Sequence, residues 1–175
     1  MNPTSRTLPD GTLPWTRSCF VCGESNPHGL QLQSRLEGGF VVLRHTTREA
    51  DRGYKHLVHG GISMTLLDEV MTWIAMVEAG RLCVAAEMSI RLHREVPVRT
   101  ALTATAGLTR SNRRVLITEA TLCDPAGTVL ASATGKYMAM PAARRDYCHD
   151  DFVFNSQAIH PATLFCEPLP GEPPS

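Results

Sequence analysis

The chain has 175 residues, 43% of them apolar and 19% charged, with 17 basic residues against 17 acidic ones. That balance excludes a disordered polymer and gives no global basic field for nucleic acid, while the length suits one domain with its own core. No apolar run is read as reaching the roughly 20 residues of a membrane span, and MNPTSRTLPDGTLPW lacks the apolar core of a signal peptide. A soluble cytoplasmic protein with no membrane or nucleic-acid partner is therefore expected.

In chain order, residues 1–17 read as an N-terminal tail. Six cysteines stand at 19, 22, 83, 123, 148 and 166, and without a secretion signal they are expected as free thiols. Cys19-Phe-Val-Cys22 has the spacing of half a zinc site, but Cys148, His149 and Cys166 do not repeat it. The pair is read as two small residues leading into the first strand, and no metal or cofactor is assigned. Residues 29–36 (GLQLQSRL) alternate polar and apolar, and 39–46 (GFVVLRHT) form a second strand pattern.

Residues 60–79 break the strand pattern. At helical spacing Ile62, Leu66, Val70, Trp73 and Val77 share one side, widened by Leu67, Met71 and Ile74, so this helix is expected to be buried. Its remaining face carries Gly61, Met64, Thr65, Asp68, Thr72 and Ala75, a small and polar stripe open to a ligand. Strand patterns resume at 83–95, 101–110, 113–123 and 127–140, separated by Pro97, by Ser111-Asn112 and by Asp124-Pro-Ala-Gly127. Short loops between successive strands imply antiparallel hairpins. The fold class is α+β, with an antiparallel sheet of about six strands curled around one long central helix. Residues 141–175 read as a C-terminal extension, proline-rich at its end, which Phe152, Phe154 and Phe165 pin to the domain at 18–140.

HGGISMTLLDE, residues 59–69, carries the chemistry. Gly60 and Gly61 bare the first helical N–H groups, which lack intrahelical partners and lie at the positive end of the helix dipole. They can polarise a carbonyl, and Asp68 can act as general base or nucleophile. Taken alone, the same residues are equally a tight turn and a hydrogen-bonded core carboxylate. Eight residues of helix rise separate Gly60 from Asp68 by about 12 Å. Both can serve one carbonyl only if they come from different subunits, with the helices antiparallel across a two-fold axis. Glu69 lies about 100° round the helix from Asp68 and is read as structural. His45, His56, His93, His149 and His160 show no ligand spacing, and Ser63 lacks a nucleophile elbow.

HGGISMTLLDE, with an aspartate nine positions after the histidine, resembles the motif of hotdog-fold acyl-CoA thioesterases of the phenylacetate-degradation (PaaI-like) type. CFVCGESNPHGLQL at 19–32, VAAEMSIRLHREVPV at 84–98 and GTVLASATGKYMA at 127–139 are similar to other segments of that family. The resemblance implies a homodimer or homotetramer hydrolysing an acyl-CoA or acyl-carrier-protein thioester between subunits. It assigns Asp68 as the acid that activates water or attacks, Gly60 as the polarising amide, His59 as a positioning residue, and Thr72 as an assistant to the carboxylate. Gly61 and Thr65 are expected to line the substrate, and Arg91, Arg113 and Arg114, with Arg94 and Arg110 nearby, to hold CoA phosphates.

Two departures stand out. Gly53 occupies a position where several members carry an amide side chain, and Ala85 one where some carry a hydroxyl. Thr72, Ser63, Ser89 and Asp51 are the candidates to replace them. The alternative readings are a non-catalytic acyl-CoA binder and an enoyl-CoA hydratase or dehydratase on the same fold.

Overall fold

A computed structural model describes residues 1–112, 115–141 and 151–165. The elements in order are β1 (Gly11–Thr12), β2 (Trp15–Thr16), β3 (Arg35–Glu37), β4 (Phe40–Thr46), β5 (Arg52–Tyr54), β6 (Leu57–Val58), α1 (Gly60–Ala79), β7 (Cys83–Leu92), β8 (Ala101–Ser111), β9 (Val115–Cys123), β10 (Val129–Ala139), β11 (Phe152–Val153) and α2 (Pro161–Leu164).

The main sheet has the strand order β1-β3-β4-β8-β9-β10-β7, every pair antiparallel. It has seven strands against the six or so expected, and it wraps α1. The turns behave as their residues dictate. At the β9–β10 corner the Asp124 carboxylate accepts the N–H groups of Ala126 and Thr128, and Gly127 takes a positive φ of 80°.

α1 runs 20 residues without a proline. It starts at His59, whose backbone is extended and whose Nδ1 accepts the Gly61 N–H at 2.9 Å, and it stops at Gly80 in the left-handed region, φ 60°. Leu66, Leu67, Val70, Met71 and Ile74 are all buried. They meet Val41 and Leu43 of β4, Leu102 and Ala104 of β8, Leu122 of β9 and Ala131 of β10 in one core. Each buried Leu or Ile contributes about 1.5–3 kcal/mol. Alanines at 104, 106, 120, 131 and 133 on the inner sheet face let the helix lie close to the backbone.

By length and hydropathy alone α1 reaches the standard of a membrane span, contrary to the expectation that no segment would. Its apolarity answers to the sheet that covers it.

The expected strand at 29–36 contracts to β3, Arg35–Glu37. The N–H groups of Leu30 and Leu32 are given to the carbonyls of Phe20 and Val21, and Gln31 between them has a positive φ of 55°. Residues 29–34 thus clasp the Cys19–Cys22 loop instead of pairing with β4. The N-terminal segment is laid on the domain: Leu13 and Trp15 are buried, Thr4 Oγ1 donates to Glu78 at 2.7 Å, and Arg6 donates to the carbonyls of Val77 and Leu164. Phe152 meets Trp73 and Phe165 edge-on, at ring distances of 6.4 and 5.9 Å, so both act as the expected pins. Phe154 remains exposed against His160.

Candidate active site

The entrance of α1 is set by a buried carboxylate. Asp51 accepts from His45 Nε2 at 2.8 Å, from the Arg48 backbone N–H at 2.7 Å and from the Arg48 guanidinium at 2.8 and 3.1 Å. Burial pushes the Asp51 carboxyl up, but these donors outweigh it and hold the group below the ordinary aspartate value of 3.8. The Asp51 carbonyl in turn accepts the His59 N–H at 2.8 Å, and Val58 N–H bonds to Val96 O. His59 is thereby fixed over the helix start. Asp51 is committed to this network and does not replace a missing polar helper.

The expectation of two bare amides is corrected by His59. Its ring takes the Gly61 N–H, so Gly61 offers no donor to a ligand. Gly60, the first helical residue, has no intrahelical partner for its N–H. It lines a pocket of about 380 Å³ together with Tyr54, Leu57, Ser63, Leu92 and Arg94. A methyl group on Gly60 would stand 3.0 Å from Leu92 Cδ1, which shows how close the backbone lies to the pocket wall.

Asp68 lies two turns along, half-buried. Tyr137 of β10 donates its phenolic hydrogen to Asp68 Oδ1 at 3.0 Å, and Thr72 Oγ1 approaches the same oxygen at 3.4 Å. Tyr137 is fully buried; burial, and then the charge of Asp68, push its phenol far above the usual range, so it stays a donor. The ring leans over Gly135, where a Cβ would meet Tyr137 Cε2 at 2.6 Å. Gly135 therefore makes the room that lets the hydroxyl reach Asp68.

Neighbouring Glu69 turns into the protein. Its Oε1 accepts from Trp73 Nε1 at 3.0 Å, and burial, then the adjacent Cys19 sulfur, raise the carboxyl to about 7. Thr65 spends its hydroxyl on the Gly61 carbonyl at 2.9 Å.

Asp68 and Thr72 are thus brought together, as are Gly60 and His59, but the two pairs sit at different points of α1. Arg91 lies elsewhere, in a cleft of about 350 Å³ with Ser89, His93, Glu119, Thr121 and Ser132. Arg113 and Arg114 fall outside the described residues. Arg94 is the arginine that lines the Gly60 pocket.

Residues 55–131 match the thioesterase superfamily. The fold, an antiparallel sheet of seven strands around one central helix, is the hotdog fold. Solved structures share its architecture. A thioesterase-superfamily protein is 28% identical with a TM-score of 0.64, the match covering 70% of this chain and 60% of that one. The E. coli PaaI protein from the phenylacetic acid degradation operon is 22% identical with a TM-score of 0.55, covering 58% of this chain and 73% of that one. A Streptococcus mutans protein bound to acetyl CoA is 19% identical with a TM-score of 0.56, covering 60% of this chain and 84% of that one. No curated protein matches the chain.

Within the hotdog domain the two departures gain a physical setting. A side chain at Gly53 would press on His59, whose Cα, Cβ and Cδ2 lie 3.1–3.3 Å from the Cβ position. Ala85 of β7 stands opposite Tyr137 in the strand register, so the polar group near Asp68 comes from β10 rather than β7. Ser89 lies in the Arg91 cleft and Ser63 in the Gly60 pocket, which leaves Thr72 as the one expected substitute beside Asp68. Sequence reading missed Tyr137. The available signal was a lone tyrosine two residues after a glycine on an inward strand face, in GKYMA.

Proposed function

We propose that the protein is a thioesterase of the PaaI-like type, hydrolysing acyl-CoA or acyl-carrier-protein thioesters. The observation that carries this reading is the Asp68 carboxylate, held half-exposed by Tyr137 and Thr72 on the small polar stripe of α1. Two donors on one oxygen orient the other for a water molecule or for direct attack on the acyl carbon. The Gly60 N–H, at the positive end of the helix, stabilises the oxyanion that forms.

The site is completed by a second copy of the chain. Gly60 opens into a pocket that does not include Asp68, as the eight residues between them require. β7 is an edge strand of ten residues, and its Val84 and Leu92 are 48% and 46% exposed. Pairing of two such edges across a two-fold axis covers them and sets the central helices side by side.

Arg94 in the Gly60 pocket, with Lys55 in a second hollow where Arg52 and Arg99 pair with Glu49, supplies positive charge for CoA phosphates. That the S. mutans relative was solved with acetyl CoA supports the CoA reading.

The test is Asp68→Asn with a panel of acyl-CoA esters, followed by thiol release. The expected outcome is a loss of at least about a hundredfold in kcat with substrate binding and the unfolding transition retained. Hydrolysis at the unaltered rate overturns the assignment of Asp68. Tight ester binding by the unaltered protein, without turnover across the panel, overturns the enzyme reading.

A further inference from the structure

Beside the Asp68 site, the Cys19–Cys22 loop packs against the helix at Glu69. The two Sγ atoms and a Glu69 carboxylate oxygen lie within 4.8 Å of one another. The loop is a tightly closed turn. The backbone N–H groups of Val21 and Cys22 point at Cys19 Sγ, at 3.3 and 3.5 Å, and the Gly23 N–H closes the turn on the Cys19 carbonyl at 3.0 Å. A side chain at Gly23 is impossible, since its Cβ would lie 2.3 Å from that carbonyl oxygen. Amides donating to the first sulfur of a tight Cys-x-x-Cys-Gly turn stabilise a thiolate in place, as a metal-binding turn requires.

Burial supplies a second observation. Cys22 is buried and Cys19 and Glu69 are half-buried. Two sulfurs and a carboxylate drawn together out of bulk water all need polar partners, and one divalent cation satisfies the three at once.

We propose that Cys19, Cys22 and Glu69 form a binding site for a thiophilic divalent cation, Zn²⁺ foremost. Two thiolates and one carboxylate suit the tetrahedral preference of zinc, with the fourth position left to water. The ion ties the loop at 19–23 to the middle of α1, one residue from Asp68. Nothing in this assignment depends on thioester hydrolysis.

The experiment uses the full chain purified with reductant and without chelator, its free thiols counted, then stripped and titrated with Zn²⁺ and with Co²⁺. The expected result is one equivalent of metal per chain, with a thiolate-to-cobalt charge-transfer band. Cys19→Ser and Cys22→Ser should each abolish the band, Glu69→Gln should weaken binding at least about tenfold, and Cys123→Ser should leave it unchanged. Glu69→Gln keeps shape and volume, so it reads the site even if a cysteine variant fails to fold. Absence of the cobalt band in fully reduced protein overturns the proposal, as does a band that survives Cys22→Ser. Unaltered affinity in Glu69→Gln removes Glu69 from the site and overturns it as stated.

Discussion

At Tyr137 a single hydroxyl connects β10 to the carboxylate of Asp68. Its hydrogen bond is to an ionised acceptor inside the fold, a class worth about 1.5–3 kcal/mol. If that bond aims the carboxylate, Tyr137→Phe should lower kcat roughly tenfold to a hundredfold, with KM little altered, because substrate binding does not use it. Steady-state kinetics on a single acyl-CoA checks this, and an unaltered kcat would show that Thr72 suffices. His59 illustrates a different residue-scale lesson. The resemblance implies a positioning residue there, and its Nδ1 takes the Gly61 N–H in capping the helix.

At the scale of elements, the start of α1 depends on the buried Asp51 network and the middle of α1 on β10. Asp51→Asn replaces an ion-paired acceptor and should lower unfolding free energy by about 2–3 kcal/mol near neutral pH, measured by denaturant titration. The sign of the pH effect follows from the direction of the shift. Asp51 is held below its ordinary value of 3.8 by Arg48 and His45, so its stabilisation is complete above about pH 4 and is lost as pH falls through the lowered value. The variant should therefore show a flatter loss of stability between about pH 4 and pH 2 than the natural chain. On β10, Gly135→Ala brings a methyl carbon within 2.6 Å of the Tyr137 ring. Overpacking of this kind costs about 1–3 kcal/mol, and the displaced ring should reduce activity alongside the melting temperature. Thermal unfolding and thiol release on the same samples would separate the two effects.

For the whole molecule the decisive question is whether one site is shared by two chains. Gly60→Pro offers a clean probe. Proline is favoured at the first helical position and removes only the N–H, while His59 before it already has extended backbone. The new ring meets Leu92 Cδ1, the movable end of a side chain. Gly60→Pro and Asp68→Asn should each be inactive alone. Mixed dimers should regain about half the activity of the unaltered dimer, because one of the two shared sites has both groups intact. Sedimentation should give twice the chain mass for each protein. Failure of the mixture to recover activity would mean that both groups act within one chain.

Much of this protein is written in residue spacing. The apolar period of 60–79, the alternation in 83–95 and the Asp124-Pro-Ala-Gly127 turn determine a buried helix and antiparallel hairpins, because burial and backbone geometry act locally on each stretch. HGGISMTLLDE likewise marks the helix start and the carboxylate without any fold in hand. Other features arise only when distant segments meet. Leu30 and Leu32 alternate like a strand, but their N–H groups find the carbonyls of Phe20 and Val21, so hydrogen bonding across the fold overrides local pattern. Gly61 looks as bare as Gly60 until the ring of His59 settles on it. Tyr137 stands 69 residues from Asp68, and no local periodicity connects them. The same holds for Glu69 beside Cys19 and Cys22. Local spacing sets which face a side chain takes, whereas packing between elements decides which polar atoms meet, and the chemistry of the site depends on that meeting.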